Sequence, residues 1–266
     1  TFTFKFQSVF SGNDGKEFNA QLQQDLSTKA EAEAFLKAHA SDTFSLTAVE
    51  KKPGKKSPAA PFTTSTLQQE ASRKLNFPVG ITMRVAQRLY EQGLITYMRT
   101  DSFNLSDEAL QQAQSEISSS YGAQYVQIRK FATKTKGAQE AHEAIRPTDL
   151  SRKSIRLDAD MNRLYDLIWK RTIASQMADA ELQRTTFSIA SNQNKALFTA
   201  KGEVVTFEGF LKVYLEGQDD DTNDDDTEGL LPNLKKGDAV FAHEISALAD
   251  PPPMRQRSPQ FRIEII

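Results

Sequence analysis

Along the first ten residues Phe2, Phe4 and Phe6 alternate with Thr3, Lys5 and Gln7, the two-residue period of a half-buried strand. Ser27 then offers a hydroxyl cap to a helix over Lys29 to Lys37. Residues 43–50 return to strand, with Phe44, Leu46 and Ala48 on one face. Lys51 to Ala60 is rich in Lys, Pro, Gly and Ser and predicts a linker, the sharpest change of composition in the chain. From Pro61 the period becomes helical. Ser65 is positioned to cap a helix whose Leu67, Ala71 and Leu75 share a face. A turn at Pro78-Val79-Gly80 leads to a second helix carrying Ile81, Val85 and Leu89, and Gly93 suits its left-handed stop. Leu94 to Tyr97 predicts a short strand, which completes the layout of a helix-turn-helix or winged-helix unit.

Ser106 starts a further helix, with Asp107 and Glu108 in the first turn, where the helix dipole favours acids. Residues 121–157 show no sustained period, whereas Asp158 to Ala178 places Met161, Leu164, Tyr165, Ile168, Trp169 and Thr172 at helical core spacing. Strands are expected at 182–190, 195–201, 203–215 and 238–248, punctuated by Gly202, Gly209, Gly217 and Gly237. The resulting order predicts an α+β multidomain chain. A discontinuous β-rich domain, residues 1–58 and 180–250, is interrupted by a helical, winged-helix-like (CAP-like) domain at 61–178. Two linked segments crossing between domains make a hinge-like arrangement, and residues 251–266 form a tail without an assigned role.

Composition narrows this picture. The chain has 266 residues, enough for two cores, and lacks cysteine, which removes disulfides and thiolate metal sites. No apolar run approaches membrane-spanning length and no signal peptide opens the chain, so a membrane partner is not expected. Starting at Thr1 inside a strand pattern, it reads as a piece of something larger. The formal net charge of −2 conceals an asymmetry, because Asp219 to Glu228 holds seven acids and no base. Setting those seven aside leaves +5, and residues 61–178 carry 16 Lys and Arg against 12 Asp and Glu. A mildly basic body with one acidic, solvated loop is compatible with nucleic acid without identifying it.

Three groups of residues could carry chemistry. Tyr97, Arg99, Thr100, Asp101 and Ser102 place a phenol, a guanidinium, a carboxylate and two hydroxyls together. A tyrosine nucleophile needs a neighbouring cation or base, and on a strand Arg99 would share the face of Tyr97 and could hold a phosphate bidentately. By spacing alone, a structural Tyr at a strand end beside a surface Arg is the commoner arrangement. Glu140-Ala141-His142-Glu143-Ala144-Ile145-Arg146 has one His and lacks a metalloprotease pattern, so it suits phosphate handling or acid–base work better than a metal, with a solvated loop as the plain alternative. Thr63, Thr64, Ser65, Thr66, Gln68, Gln69, Arg73, Arg84, Gln87 and Arg88 could contact a DNA backbone, although ordinary surface helices look the same.

Taken together, Pro61-Phe62-Thr63-Thr64-Ser65-Thr66-Leu67-Gln68-Gln69, the stretch from Ala86 through Glu91 to Ser102, and Glu140 to Pro147 resemble, in order, three signatures of the bacterial topoisomerase I kind of type IA DNA topoisomerase. The resemblance implies that Tyr97 cleaves one DNA strand through a 5′-phosphotyrosine link and reseals it without ATP. It implies that Arg99 holds the scissile phosphate and His142 assists, with Glu91, Thr100, Asp101 and Arg146 as supporting or DNA-binding residues. The implied partners are single-stranded and negatively supercoiled DNA, for a monomer acting at the nucleoid in the cytoplasm. Magnesium in that family belongs to a Toprim domain with paired acids, which nothing in these residues resembles, so no metal ligand is expected in this chain. After Pro251-Pro252-Pro253 the sequence departs from the family pattern. A fragment so composed is expected to bind single strands without relaxing supercoils. The competing class is a non-catalytic winged-helix module that reads duplex DNA with a helix over 81–92.

Overall fold

A computed structural model describes residues 3–39, 41–131, 142–193, 197–215, 231–250 and 262–265. The acidic run at 219–228, Phe2, and Glu140 and Ala141 of the His142 segment lie outside them. Two compact units emerge, one from Thr1–Gly54, Leu182–Val204 and Asp224–Ile266, the other from Lys55–Glu181 and Val205–Asn223.

The first unit is a sheet with one packed helix. Its strands are β1 (Thr3–Ser11), β2 (Glu17–Leu22), β3 (Phe44–Lys56), β4 (Ala180–Ser191), β5 (Leu197–Phe207), β6 (Ala239–Asp250) and β7 (Arg262–Ile265). They lie in the order β1-β2-β5-β4-β3-β6-β7, and a further β1–β6 pairing closes the sheet on itself. Closure removes the free edges that β1 and β6 would otherwise present. β1 pairs antiparallel with both β2 and β6, slipping register against β6 between Val9 and Phe10. The alternation seen in Phe4 and Phe6 continues to Phe10, which is fully buried among the rings of Phe18, Phe44 and Phe198 at 6.2, 5.2 and 5.4 Å. Helix α1 (Lys29–His39) buries Ala32, Leu36 and His39. Its cap is Thr28, one residue beyond the expected Ser27: Thr28 Oγ1 accepts from Glu31 N–H, and the Glu31 carboxylate accepts from Ser27 and Thr28 N–H.

Three sequence expectations change here. β2 was unanticipated. The supposed linker from Lys51 continues β3 as far as Lys56. The two strands expected at 195–201 and 203–215 are the single strand β5, followed by a 3₁₀ turn at Gly209–Lys212. From Val205 onward this stretch belongs with the helical unit, because Phe210 and Tyr214 insert into the helical core.

The second unit packs α2 (Thr64–Leu75), α3 (Val79–Glu91), α4 (Asp107–Tyr121) and α5 (Ala159–Ser175). α5 is central and packs against each of the other three. Asp158 caps it by accepting from Met161 N–H, and Met161, Leu164, Ile168 and Ile173 are completely buried. Two of its polar-tipped aromatics fasten the irregular segment before it: Trp169 Nε1 donates to Leu150 O and the Tyr165 hydroxyl to Arg152 O. Thr63, rather than Ser65, caps α2, in a reciprocal box with Thr66. Between Phe62 and Met177, β pairing among the described residues is limited to isolated bridges.

Candidate active site

Gly93, at φ +70°, stops α3, and its N–H donates to Tyr90 O. The chain then forms no strand; Ile95 makes a single bridge to Pro147. Threonine hydroxyls supplement the two backbone bonds on this seam, Thr96 N–H to Arg146 O and Thr148 N–H to Leu94 O. Thr96 Oγ1 donates to Ala144 O at 2.7 Å and accepts from Arg146 N–H at 2.9 Å. Thr148 Oγ1 donates to Gly93 O on the same seam. Downstream, burial alternates over four residues: Tyr97 is 45% exposed, Met98 1%, Arg99 is exposed again and Thr100 is 8% exposed. Met98 and Thr100 therefore anchor the loop, leaving Tyr97 and Arg99 outward as their spacing suggested.

Two neighbouring recesses open at this loop. One, of about 390 Å³, is lined by Thr63, Thr64, Ser65, Arg99, Thr100, Asp101 and His142. The other, of about 270 Å³, is lined by Thr96, Tyr97, Thr100, His142 and Glu143. Thr100 and His142 belong to both. The sequence thus places Arg99, Thr100, Asp101 and His142 in one recess and Tyr97 in the adjoining one. Among the described residues, the Tyr97 hydroxyl, the Arg99 guanidinium and the His142 imidazole form no hydrogen bond or ion pair. The Tyr97 ring meets that of Tyr90 edge-on, with centroids 5.3 Å apart.

The surrounding groups are engaged. Arg146, expected as a supporting or DNA contact, is 9% exposed and turned inward. Its Nη2 donates to Glu143 Oε2 at 2.8 Å, its Nε to Glu143 Oε1 and its Nη1 to Pro147 O. Glu143 Oε1 also accepts from Ser106 N–H at 2.6 Å. Burial raises the Glu143 carboxyl pKa, but the bonds from Ser106 and Arg146 outweigh it and leave the group below its ordinary value. Arg146 and Glu143 thus hold the segment that presents His142. Glu91 lines neither recess and accepts from Gln87 on α3. Of the basic residues considered for DNA contact, Arg73 pairs with Glu70 and Arg88 with Asp158. Sequence reasoning missed Tyr90 and Thr96; the seven-residue interval from Tyr90 to Tyr97 gave no sign that the helix end would fold its ring back.

Among the described residues, no group of three or more His, Asp or Glu side chains is arranged to hold a metal ion. No helix among them is long and apolar enough to cross a membrane.

The family model described as DNA topoisomerase matches residues 2–257. The chain belongs to the bacterial DNA topoisomerase I family. It is 50% identical over 238 residues to DNA topoisomerase 1 of Streptomyces coelicolor, covering 85% of this chain and 25% of that protein. It is 48% identical over 236 residues to the enzyme of the same name from Zymomonas mobilis, with 86% and 19% coverage. The Synechococcus elongatus relative is 45% identical over 259 residues, with 92% and 29% coverage. Among solved structures, full-length topoisomerase I from Thermotoga maritima superposes with a TM-score of 0.73 at 29% identity, covering 96% of this chain and 42% of that one. The chain therefore spans about a fifth to under a third of these curated relatives. In this fold the Tyr97 loop and the His142 segment are neighbours, and among the described residues the polar ends of Tyr97, Arg99 and His142 stay uncommitted.

Proposed function

We propose that Tyr97 is the nucleophile of a strand-passing topoisomerase of type IA. The phenolic oxygen attacks a DNA phosphodiester, the O–P bond to tyrosine forms as the bond from phosphorus to the 3′ oxygen breaks, the phenol releases its proton and the departing 3′ oxygen takes one up. A 5′-phosphotyrosyl link and a free 3′-hydroxyl result. Because one phosphoester replaces another, the reverse step reseals the strand without ATP. Arg99 binds the scissile phosphate and stabilises the charge that develops on it. His142, shared by the two recesses, orients the backbone, and Thr100 and Asp101 shape the Arg99 recess. Arg146 supports from within, and Glu91 acts from the end of α3.

The carrying observation is that a phenol, a guanidinium and an imidazole, each without a hydrogen-bond or ion-pair partner among the described residues, line two recesses joined at Thr100 and His142. Structural residues in such a setting find partners, as Glu143 and Arg146 do. The substrate is a single strand within negatively supercoiled DNA. The complete enzyme acts as a monomer on the cytoplasmic nucleoid, with the helical unit as its winged-helix-like element. Its magnesium is held outside this chain, in a Toprim domain. These 266 residues alone bind single strands without relaxing plasmid. Incubation of the complete enzyme with a labelled single-stranded oligonucleotide, quenched in detergent, is the test. Covalent capture is lost in Tyr97→Phe, and an adduct persisting in that variant would refute the assignment. Robust plasmid relaxation by the 266 residues alone, supplied with magnesium, would overturn the division of labour.

A further inference from the structure

By its sequence, the hydroxyl-rich segment Thr63 to Thr66 could contact a DNA backbone or simply face solvent as an ordinary surface helix start. In the fold, one of those hydroxyls has another use. Thr64 is the first residue of α2, and it faces the loop that carries Arg99 from 34 to 36 positions upstream. Its Oγ1 donates to Met98 O at 2.8 Å, with Thr100 O at 3.1 Å as the alternative acceptor. The same oxygen accepts from Thr100 N–H at 2.9 Å, and Thr64 N–H donates to Thr100 O at 2.9 Å. The backbone groups on both sides of Arg99 are therefore held by one residue. The cap that starts α2 and the Phe62–Ile145 bridge fix that residue in turn.

We infer that Thr64 is a positioning residue for Arg99 and Tyr97: its hydroxyl sets the backbone of Met98–Thr100 and so aims the guanidinium and the phenol at the same phosphate. This rests on the assignment of Tyr97 and Arg99 above. The reasoning is geometric. The Met98–Arg99–Thr100 backbone has no strand ladder to hold it, so without Thr64 Oγ1 the Met98 carbonyl and the Thr100 N–H lose a fixed partner. Residues flanking a reactive group that are free to rotate lose the alignment a near-attack arrangement needs, and a misplacement of about 1 Å is enough to slow a reaction by roughly a hundredfold. Thr96 makes the equivalent double contact on the other side of Tyr97, with Ala144 O and Arg146 N–H. The loop is thus pinned before and after its two outward side chains.

The test uses the complete enzyme and a labelled single-stranded oligonucleotide, comparing Thr64→Val, which keeps shape and removes the hydroxyl, with Thr64→Ser, which restores it. Thr64→Val should form covalent adduct roughly a hundredfold more slowly, with oligonucleotide affinity within about threefold of the parent, because the hydroxyl, although on the wall of the Arg99 recess, is spent on the Met98 and Thr100 backbone. Thr64→Ser should cleave at close to the parent rate. A correctly folded Thr64→Val that cleaves at the parent rate overturns the inference, as does an equal loss of affinity and rate. Should Val unfold the protein, Ser decides: cleavage near the parent rate supports the role, and a folded Ser variant that is severely slowed overturns it. Tyr97→Phe run alongside separates the two claims, since an adduct surviving there removes the nucleophile assignment, whereas an unaffected Thr64→Val with an inert Tyr97→Phe removes the positioning role alone.

Discussion

Between Tyr97 and Thr100, neighbouring residues have opposite tasks: Met98 and Thr100 hold the loop to the core while Tyr97 and Arg99 face the recesses. The division makes single-residue predictions specific. Arg99→Ala should slow covalent capture by about 10²–10³-fold, the usual effect of removing a charge-stabilising donor, without lowering the thermal midpoint, because Arg99 has no side-chain partner among the described residues. Oligonucleotide cleavage together with a thermal melt checks both parts. Glu143 should behave in the opposite way. Its folded pKa lies below its ordinary value, so its carboxylate stabilises the fold at neutral pH and that stabilisation is lost as pH falls below the usual glutamate pKa of about 4 and through the depressed folded value. Glu143→Gln should therefore melt lower than the parent at pH 7, and the two midpoints should converge toward pH 3, followed by circular dichroism. The residue types at 140–147 marked the segment as chemical but could not separate His142 from Arg146. An arginine is ordinarily a surface residue, and its burial here depends on Glu143 and Pro147 O closing round it.

Two glycines with left-handed backbone show how elements end. Gly93 at φ +70° has nothing within 4 Å of where a Cβ would stand, whereas a Cβ on Gly209, at φ +50°, would lie 2.3 Å from Asp179 O and 2.5 Å from Ala178 O. Gly93→Ala should cost about 1 kcal/mol, the conformational term alone. Gly209→Ala adds a backbone collision and should cost well over about 2 kcal/mol; chemical denaturation of both variants checks the order. Gly93 was readable as a helix stop from the pattern before it, but Gly209 read only as punctuation, since the carbonyls it meets come from the link between α5 and β4 some thirty positions earlier. The same reason explains the strand expected at Leu94–Tyr97. Its apolar residues Leu94 and Ile95 are buried side by side rather than alternating, and residues 144–148 supply one bridge, two backbone bonds and the hydroxyls of Thr96 and Thr148 in place of a partner strand.

At the scale of the whole molecule, each unit buries its own apolar cluster, one centred on the phenylalanines of the closed sheet and the other on α5. Phe10→Ala removes a fully buried ring with three aromatic neighbours and should cost about 3–5 kcal/mol. Calorimetry should show one transition moving to lower temperature and the other, belonging to the helical unit, keeping its midpoint. A single transition shifted as a whole would contradict two separately cooperative cores.

Helical periods, the glycine after α3, the alternation of β1 and the three motif stretches are properties of near neighbours along the chain, so periodicity and residue type sufficed to read them, and the motif stretches carried the family with them. The rest arises between residues far apart. β1 closes the sheet against β6 from 230 or more positions away, residues 205–215 join the helical unit, Arg146 turns inward, and the hydroxyl of Thr64 grips the loop around Arg99. Such contacts leave no trace in local period, because the partner that fixes a side chain's role is chosen only when the backbone folds back on itself.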